Sequence, residues 1–254
     1  MLGKRMKRGW MKLRIKEIIH ENHDTRTLHF VDHEEGGRCF DYIPGQYLTF
    51  RFDDLTNKPI ARSYTMSSSP CEEDYVSVTI KEISKGVASE FLCRRSKVGD
   101  VLRAKGPIGK FCYFSEQDQP HLVMVAAGSG VTPFTSMLRE YAPHLGKNGA
   151  PHKMTLLVSY RSREDLINWD ALQSVAKLPN IRIVTTLSRE NATDQGFLFG
   201  RITETMLERV LGEDLENSTF MTCGPKEMME LTKHFLRKHH VPMDRIKIES
   251  YEST

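Results

Sequence analysis

The stretch HLVMVAAGSGVTPFTSMLR, residues 121–139, decides the fold of the second half of this chain. It opens with a continuous apolar run that ends at Ala127 and is followed at once by glycines. Such a run predicts a strand of a parallel sheet that is buried on both faces. Pro133 then suits the first turn of a helix, where its missing N–H costs nothing. The stretch therefore predicts a strand, a glycine turn and a helix in direct succession.

The turn Gly128-Ser129-Gly130 is a candidate anion site. A strand, turn and helix in this order bring backbone N–H groups and the positive end of a helix dipole to the carboxyl edge of a sheet, which is where pyrophosphates bind. The spacing is Gly128-x-Gly130-x-x-Pro133 rather than the usual GxGxxG. A plain structural turn therefore remains the alternative on this motif alone.

Two different patterns flank this stretch and predict two domains. Before it, short segments of alternating polarity separated by turn residues predict an antiparallel β-barrel. After it, strands alternate with helical segments, which predicts a doubly wound parallel sheet of the α/β class. The predicted strands of the barrel are 12–19, 27–32, 47–52, 63–67, 75–83 and 101–104, with a helix over 89–95. We place the first domain at residues 11–116 and the second at 117–254, with residues 1–10 as a disordered basic tail.

Composition narrows the class of protein. The chain has 254 residues, a net charge of +3 and five scattered cysteines without C-x-x-C spacing, which disfavours a zinc or cysteine-ligated iron–sulfur site. We expect no metal, no signal peptide and no membrane span, and a reducing, cytoplasmic environment. Residues 1–16 contain seven basic residues and no acidic one. That start has the composition of a nucleic-acid or membrane arm, but a disordered terminus is the favoured interpretation, with no nucleic-acid or membrane partner.

Two segments of the first domain carry side chains suited to a phosphorylated aromatic cofactor. In Arg62-Ser63-Tyr64-Thr65 the arginine and tyrosine share one face of a strand. The guanidinium suits a phosphate and the phenol ring suits a flat aromatic group. In Gly86-Val87-Ala88-Ser89 a glycine and a serine precede a helix, which favours anion binding.

The order of these motifs resembles the ferredoxin–NADP reductase family, whose two-domain module also serves in oxygenase reductases and resembles cytochrome b5 reductase. The resemblance runs over residues 12–251. The matching segments, in chain order, are ARSYTMSSSP, KGVASEFL, GPIGKF, AAGSGVTPFTSML, TLSRE, MTCGPKEMM and IESY. It implies a flavoprotein oxidoreductase that transfers hydride from NAD(P)H to FAD and then passes single electrons to a separate carrier.

The resemblance also implies roles for individual residues. Arg62 would contact the FAD pyrophosphate, Tyr64 the isoalloxazine ring and Thr65 the region of flavin N5. The candidate FAD contacts are Arg62, Ser63, Tyr64, Thr65, Lys81, Gly86, Val87, Ala88 and Ser89. Thr65, Cys223, Glu249 and Tyr251 are the candidate catalytic residues, although a buried structural role remains the alternative for Cys223 and Tyr251. Three residues follow Tyr251, which departs from the plant-type pattern of a terminal stacking tyrosine.

The candidate NAD(P)H contacts follow from the same resemblance. They are Gly128, Gly130, Thr132, Pro133, Arg161, Ser188, Arg189, Cys223, Gly224 and Pro225. Ser188-Arg189 matches the pair that reads a 2′-phosphate, so NADPH is favoured over NADH, which also remains possible. The alternative is that Arg161, Arg163 and Arg189 are solvated or pair with neighbouring acids.

The expected carrier is ferredoxin, flavodoxin or another iron–sulfur protein. Two alternatives stay open within enzymes, namely the reductase component of an oxygenase system and a free flavin reductase. A third is a non-catalytic electron-transfer subunit of a larger complex. An acidic carrier would dock on basic surface, for which the candidate residues are Lys81, Lys85, Arg94, Arg95 and Lys97. The sequence leaves the oligomeric state unknown.

Overall fold

The chain separates into two compact units between Cys112 and Tyr113 in a computed structural model that describes residues 9–38 and 40–251. Most of the predicted tail lies outside the described residues. The first strand begins at Trp10, inside the segment predicted to be disordered.

The first unit is an antiparallel barrel of six strands. In chain order they are β1 (Trp10–His20), β2 (Thr25–Asp32), β3 (Tyr47–Phe52), β4 (Ile60–Thr65), β5 (Val76–Lys81) and β6 (Val101–Ile108). Their order in the sheet is β4-β3-β6-β1-β2-β5. A bridge between Met66 and Val78 joins the two ends of this sheet, so the barrel closes. The predicted fold of this half is confirmed.

Alternating polarity along the strands explains why this half forms a barrel. In β1, the side chains of Met11, Leu13 and Ile15 are buried and those of Lys12 and Arg14 are exposed. Since successive side chains of a strand point to opposite faces, one face of each strand fills the interior. The interior contains Leu28, Phe30, Leu48, Phe50, Met66 and Ile80, all essentially without solvent exposure.

The helical segment predicted over 89–95 forms in two parts. A short helix, α1 (Val87–Glu90), continues into a π-helical turn over Phe91–Arg95. The Ser89 hydroxyl donates to Gly86 O at 2.9 Å, which closes the first turn through a side chain.

The second unit is a parallel sheet. Its strands are β7 (His121–Ala127), β8 (Lys153–Tyr160), β9 (Ile181–Leu187), β10 (Leu198–Phe199), β11 (Ser218–Cys223) and β12 (Ile246–Glu249), in the order β10-β9-β8-β7-β11-β12. The connecting helices are α2 (Thr132–Tyr141), α3 (Trp169–Val175), α4 (Glu204–Leu211) and α5 (Lys226–Lys238). The chain moves outward from β7 in one direction and returns to start β11 on its other side. The predicted doubly wound sheet is confirmed, and β7 lies at its topological switch point.

The polar stretch 115–120 is anchored to the second unit. The Asp118 carboxylate accepts from the Phe114 N–H at 2.7 Å and pairs with the Lys247 ammonium at 2.5 Å. The Asp118 side chain is only 3% exposed despite its charge. This polar segment is therefore fastened to β12.

Two features differ from the expectations drawn from sequence. The histidines lack ligand spacing with Cys or carboxylates in the sequence, which predicts surface positions, but His29 and His121 are buried. His121 bonds Ser218 and Thr155 through its two ring nitrogens, each at 3.0 Å, which satisfies both polar atoms without a metal. The two-residue edge strand β10 is too short to leave an alternating pattern, and the prediction omitted it.

Among the described residues, no helix has the length and apolar character that crossing a bilayer requires. No group of three or more His, Cys, Asp or Glu side chains within the described ranges has the arrangement of a metal site.

Candidate functional site

The carboxyl ends of β7 and β11 lie side by side at the switch point of the parallel sheet. Gly128 takes a left-handed φ of +54°, which turns the chain from β7 into a 3₁₀ turn that leads to α2. A β-carbon on Gly130 would lie 2.2 Å from the carbonyl oxygen of Cys223. One on Gly224 would lie 3.1 Å from the Ala127 nitrogen. Both loops therefore require glycine for their backbones to meet.

This close approach brings the predicted nucleotide loop next to the predicted Cys223-Gly224-Pro225 segment. Pro133 lies in the first turn of α2, as expected. The Thr132 hydroxyl donates to Ser129 O at 2.8 Å and tightens the turn. The Thr132 N–H also donates to Ser129 O and Pro133 has no N–H, so what the start of α2 offers a pyrophosphate at this edge is the positive end of the helix dipole.

Three candidate catalytic residues meet at the same edge. Cys223 is the register partner of Glu249 across the parallel pair of β11 and β12. Tyr251, two residues past Glu249, hydrogen-bonds to the Cys223 side chain. The chain pairing thus assembles a thiol, a carboxyl and a phenol from two segments that are distant in sequence.

Burial sets the protonation of two of these groups. It raises the pKa of the Cys223 thiol to about 12, so Cys223 is a neutral thiol and not a nucleophilic thiolate at neutral pH. Burial also raises the pKa of Glu249 to about 7. The Oε2 atom of Glu249 is buried and has no hydrogen-bond partner among the described residues. A carboxyl with such a pKa exchanges its proton near neutral pH.

The ends of β8 and β9 present the predicted 2′-phosphate residues. Backbone hydrogen bonds from Ser188 N to Tyr160 O and from Arg189 N to Arg161 O, both 2.8 Å, hold the two strand ends together. Arg163 is not available to a phosphate, because its guanidinium already pairs with Glu190 and donates to Gln195 at 2.7 Å. Arg161 and Arg189 are exposed, and neither forms an ion pair with a described residue. These two cations are available to a phosphate.

In the first unit, β4 presents the predicted flavin motif. Arg62 and Tyr64 pair with Phe50 and Leu48 of β3 and so share one face, as predicted. The Arg62 guanidinium is exposed, donates to Ala61 O at 2.7 Å and forms no ion pair with a described residue. The Tyr64 ring lies 6.2 Å from that of Phe50, and burial raises the pKa of its hydroxyl. Thr65 is buried, and Ser63 shares a hydrogen bond with Thr49 at 2.9 Å.

The second phosphate segment folds as a tight turn before α1. A β-carbon on Gly86 would lie 2.3 Å from Cγ1 of Ile83 and 2.5 Å from the Ser89 hydroxyl. Ser89 is already used within the turn, since it donates to Gly86 O and accepts from Ile83 N. The donors left for an anion are the backbone N–H groups of Val87 and Ala88.

The basic residues expected to dock a carrier are mostly paired. Lys81 pairs with Asp24 at 2.6 Å, Arg94 with Glu82 at 2.7 Å and Arg95 with Glu90 at 2.9 Å. This pairing leaves Lys85 and Lys97 as the cations of that set without an ion pair to a described residue. The positive charge of this surface is therefore smaller than the sequence indicates.

The sequence reasoning missed the ion pair of Asp118 and Lys247. Lys247 lies two residues before Glu249 on β12, so Asp118 fixes the strand that presents the carboxyl. No local signal could have revealed the pair, because its members are 129 positions apart.

Comparisons with known proteins agree with the architecture. Residues 12–113 match the oxidoreductase FAD-binding domain and residues 124–234 the oxidoreductase NAD-binding domain. The NADH oxidoreductase HCR of Escherichia coli is 30% identical over 91% of this chain and 69% of its own length. The ferredoxin reductase component of a 3-ketosteroid-9-alpha-monooxygenase of Mycobacterium tuberculosis is 29% identical over 96% of this chain and 66% of its own length.

A solved structure has the same fold. The FAD/NAD-binding domain of a nitric oxide dioxygenase from Vibrio cholerae superposes with a TM-score of 0.82 at 24% identity, over 94% of this chain and 98% of that domain. This chain spans about two thirds of the length of the curated relatives it matches. The two matched domains and the relative that is 30% identical show that the chain belongs to the ferredoxin–NADP reductase family of flavoprotein oxidoreductases.

Proposed function

We propose that this protein oxidises NAD(P)H, passes the hydride to FAD bound by its first unit and delivers electrons singly to a separate carrier. FAD supplies the conversion between two-electron and one-electron chemistry. The chain supplies binding and orientation. In this proposal Arg62 and the amides of Val87 and Ala88 hold the FAD pyrophosphate, Tyr64 contacts the isoalloxazine, and Thr65 offers a hydroxyl near N5. The remaining candidate contacts, Ser63, Lys81, Gly86 and Ser89, shape that site.

The observation that carries the proposal is the glycine-only contact at the switch point. A β-carbon at Gly130 would overlap the backbone of Cys223. That contact supports a site in which a dinucleotide lies across the ends of β7 and β11, with its pyrophosphate on the Gly128–Pro133 turn. Cys223, Gly224 and Pro225 would then border the nicotinamide.

The polar groups at this edge have distinct proposed roles. Cys223 contributes a neutral, poorly hydrated thiol that excludes water beside the nicotinamide. Glu249, whose pKa burial raises to about 7, holds or releases a proton at its Oε2 atom. Tyr251, hydrogen-bonded to the thiol and 41% exposed, covers the edge of this group.

We propose NADPH as the preferred donor, with Arg189 and Arg161 reading the 2′-phosphate. Their lack of an ionic partner among the described residues supports this, whereas a relative is named an NADH oxidoreductase. Arg189→Ala should raise the KM for NADPH roughly tenfold or more, since a charge-assisted contact contributes about 1.5–3 kcal/mol. The KM for NADH should change less than twofold. Arg163→Ala is the control, because Glu190 already occupies that cation. Equal effects of Arg189→Ala on both nucleotides would contradict the assignment.

The proposed partner is ferredoxin, flavodoxin or another iron–sulfur carrier. A specific second candidate is the reductase component of an oxygenase system, because a relative is named as the ferredoxin reductase component of a monooxygenase. A reducing, cytoplasmic location is proposed from the cysteine pattern, because the five cysteines are scattered along the sequence and have no C-x-x-C spacing.

Reconstitution and turnover test the proposal. Purified protein incubated with FAD should retain the flavin bands after gel filtration and should reduce ferricyanide with NAD(P)H. Arg62→Ala should weaken FAD retention and leave the fold intact, with Arg51→Ala as a control on the neighbouring strand. Protein that retains FAD but shows no NAD(P)H-dependent turnover would instead support a non-catalytic subunit. Protein that acquires no flavin absorbance would refute the proposal.

A further inference from the structure

The outer wall of the barrel carries a grid of cations on three adjacent strands. We name this grid the basic face and define it by the outward positions of β1, β6 and β3. They are Trp10, Lys12 and Arg14, then Val101, Arg103 and Lys105, then Tyr47, Thr49 and Arg51. Five of these nine residues are basic and none is acidic.

Cross-strand register places these charges directly opposite one another. Lys12 pairs with Arg103, and Arg103 pairs with Arg51, so three cations form one row across the sheet. Like charges in opposite positions destabilise a sheet. Charged side chains on an edge strand prevent that strand from pairing with another sheet. This role does not explain the row of cations, because β1 and β6 are interior strands of a closed barrel.

Little negative charge offsets the row. The Asp53 carboxylate, just past the end of β3, accepts from Arg51 at 2.6 Å and from Arg103 at 3.3 Å. Lys12, Arg14 and Lys105 are exposed and form no ion pair with any described residue. The face therefore retains an excess of unpaired positive charge that the fold itself does not use.

Apolar side chains lie among these cations. Trp10 is 43% exposed and lies beneath the Arg103 guanidinium, at 5.5 Å from the ring centroid. Val101 is 40% exposed, and Val98, in the turn that leads into β6, is 62% exposed. An exposed indole beside lysines and arginines is typical of surfaces at the headgroup level of a bilayer, where Trp and cationic side chains are both favourable.

The position of β1 argues against a carrier-docking role for its part of the face. β1 lies three strands from β4 in either direction around the barrel, so it is on the opposite wall from Arg62 and Tyr64. At its other end the face reaches β3, which pairs with β4, but an electron carrier bound over Trp10, Lys12 and Arg14 of β1 would have the barrel between itself and the proposed flavin. The β1 side of the face, which carries the exposed indole, therefore fits a partner that holds the protein rather than one that accepts its electrons.

We propose that the basic face binds the anionic headgroups of a lipid bilayer, with Trp10 entering the interface. Clusters of four to eight basic residues attract anionic lipid surfaces. Residues 1–8 precede Trp10 and add four further basic residues in sequence. The inference departs from the expectation of no membrane partner and is independent of the proposed function, since it invokes neither FAD nor NAD(P)H.

Vesicle cosedimentation of the full chain tests this inference. Binding to vesicles of phosphatidylcholine mixed with phosphatidylglycerol should be detectable at low salt, should fall in high salt and should be absent with phosphatidylcholine alone. Lys12→Gln combined with Arg14→Gln and Lys105→Gln should weaken binding on the order of 100-fold, at roughly fivefold for each charge. The matched control combines Lys147→Gln, Lys177→Gln and Arg209→Gln, which remove the same charge from exposed positions of the second unit and should change binding little.

Two further measurements sharpen the outcome. Trp10 fluorescence should shift to shorter wavelength on vesicle binding, and Trp10→Phe should abolish that shift and leave Trp169 as the constant signal. The triple variant should keep the FAD absorbance and ferricyanide turnover of the wild type, which distinguishes this inference from the proposed function. Unchanged vesicle binding in the triple variant would overturn the proposal. So would loss of binding only when Lys4, Arg5, Lys7 and Arg8 are neutralised, or binding to an oligonucleotide without any binding to anionic vesicles.

Discussion

Gly130 is the residue at which the second unit tolerates least change. Because a β-carbon there would lie 2.2 Å from Cys223 O and 2.6 Å from its carbonyl carbon, two backbones would have to separate. Neither partner is a flexible side chain that could rotate away. The close contact between the loops that follow β7 and β11 therefore explains why the sequence has glycine at position 130.

Gly130→Ala should destabilise the second unit by about 1–3 kcal/mol, the range typical of overpacking. It should also abolish NAD(P)H-dependent turnover and leave FAD retention by the first unit unchanged. Gly212→Ala is the matched control, because Gly212 has φ −54° and its added β-carbon would meet only the end of the Glu208 side chain. Urea unfolding and ferricyanide turnover measure both effects. A fully active, equally stable Gly130→Ala protein would contradict the close-contact account.

Glu249 gives a pH dependence whose sign follows from its pKa. Burial raises the folded-state pKa of Glu249 to about 7 from its ordinary value of 4.5, so the folded protein binds this proton more tightly than the unfolded chain. The stability that this group contributes is therefore present below pH 4.5 and is lost as the pH rises through 7. The difference between the two pKa values sets an upper limit of roughly 3 kcal/mol.

Glu249→Gln should remove this pH dependence. The variant should match the wild type in stability near pH 4.5 and exceed it by about 1–3 kcal/mol near pH 9, because glutamine buries no charge. Urea unfolding at the two pH values provides the measurement. The exposed Glu230→Gln serves as the control and should follow the wild type. A stability gain for Glu249→Gln that is equal at both pH values would show that charge burial is not the cause.

At the scale of elements, the position of β12 depends on the pair of Asp118 and Lys247. The carboxylate is 3% exposed, also accepts from the Phe114 N–H, and lies near the Thr219 hydroxyl. The Lys247 ammonium lies 5.4 Å from the centroid of the Phe114 ring. The pair therefore joins the start of the second unit to the strand that carries Glu249.

Asp118→Asn should destabilise the protein by about 2–4 kcal/mol, because it leaves Lys247 without its counter-ion in a largely buried place. Adding Lys247→Met should restore part of that loss, since no unpaired charge then remains. The control is Asp54→Asn at an exposed position of the first unit. Thermal and urea unfolding compare the four proteins. If the double variant were less stable than Asp118→Asn by the full cost of a second independent loss, the pairing account would be wrong.

Most elements were predictable because each carries its own pattern. Alternation in β1 and the continuous apolar run of β7 predicted the two sheet types correctly. The elements and contacts that were missed have no local pattern. β10 is two residues long, and the burial of His121 depends on Ser218 and Thr155, which come from other strands.

The candidate site was predictable to a different degree. Its residue types could be found in order along the sequence through resemblance to a family. Their electrostatics could not, because pairing partners such as Asp24 for Lys81 and Glu190 for Arg163 are distant in sequence. Three properties could be found only in the folded chain. They are the lack of an ion pair between Arg189 and any described residue, the neutral thiol of Cys223 and the raised pKa of Glu249.

At the scale of the whole molecule, the chain combines two units with separate tasks. One is a barrel with an FAD-domain sequence, and the other is a parallel sheet with an NAD-domain sequence. The excess basic charge of residues 1–16 becomes intelligible at this scale as well. Part of it folds into β1 and faces outward, where Lys12 and Arg14 join basic residues of β3 and β6.

The most direct test of the central claim is an anaerobic spectral titration of the FAD-loaded protein with NADPH and, separately, with NADH. We predict that stoichiometric nucleotide bleaches the flavin band of the wild type, and that Gly130→Ala retains the FAD but is not bleached at the same concentrations. A wild-type protein that holds FAD firmly and keeps its full flavin absorbance in the presence of excess NADPH and NADH would contradict the account.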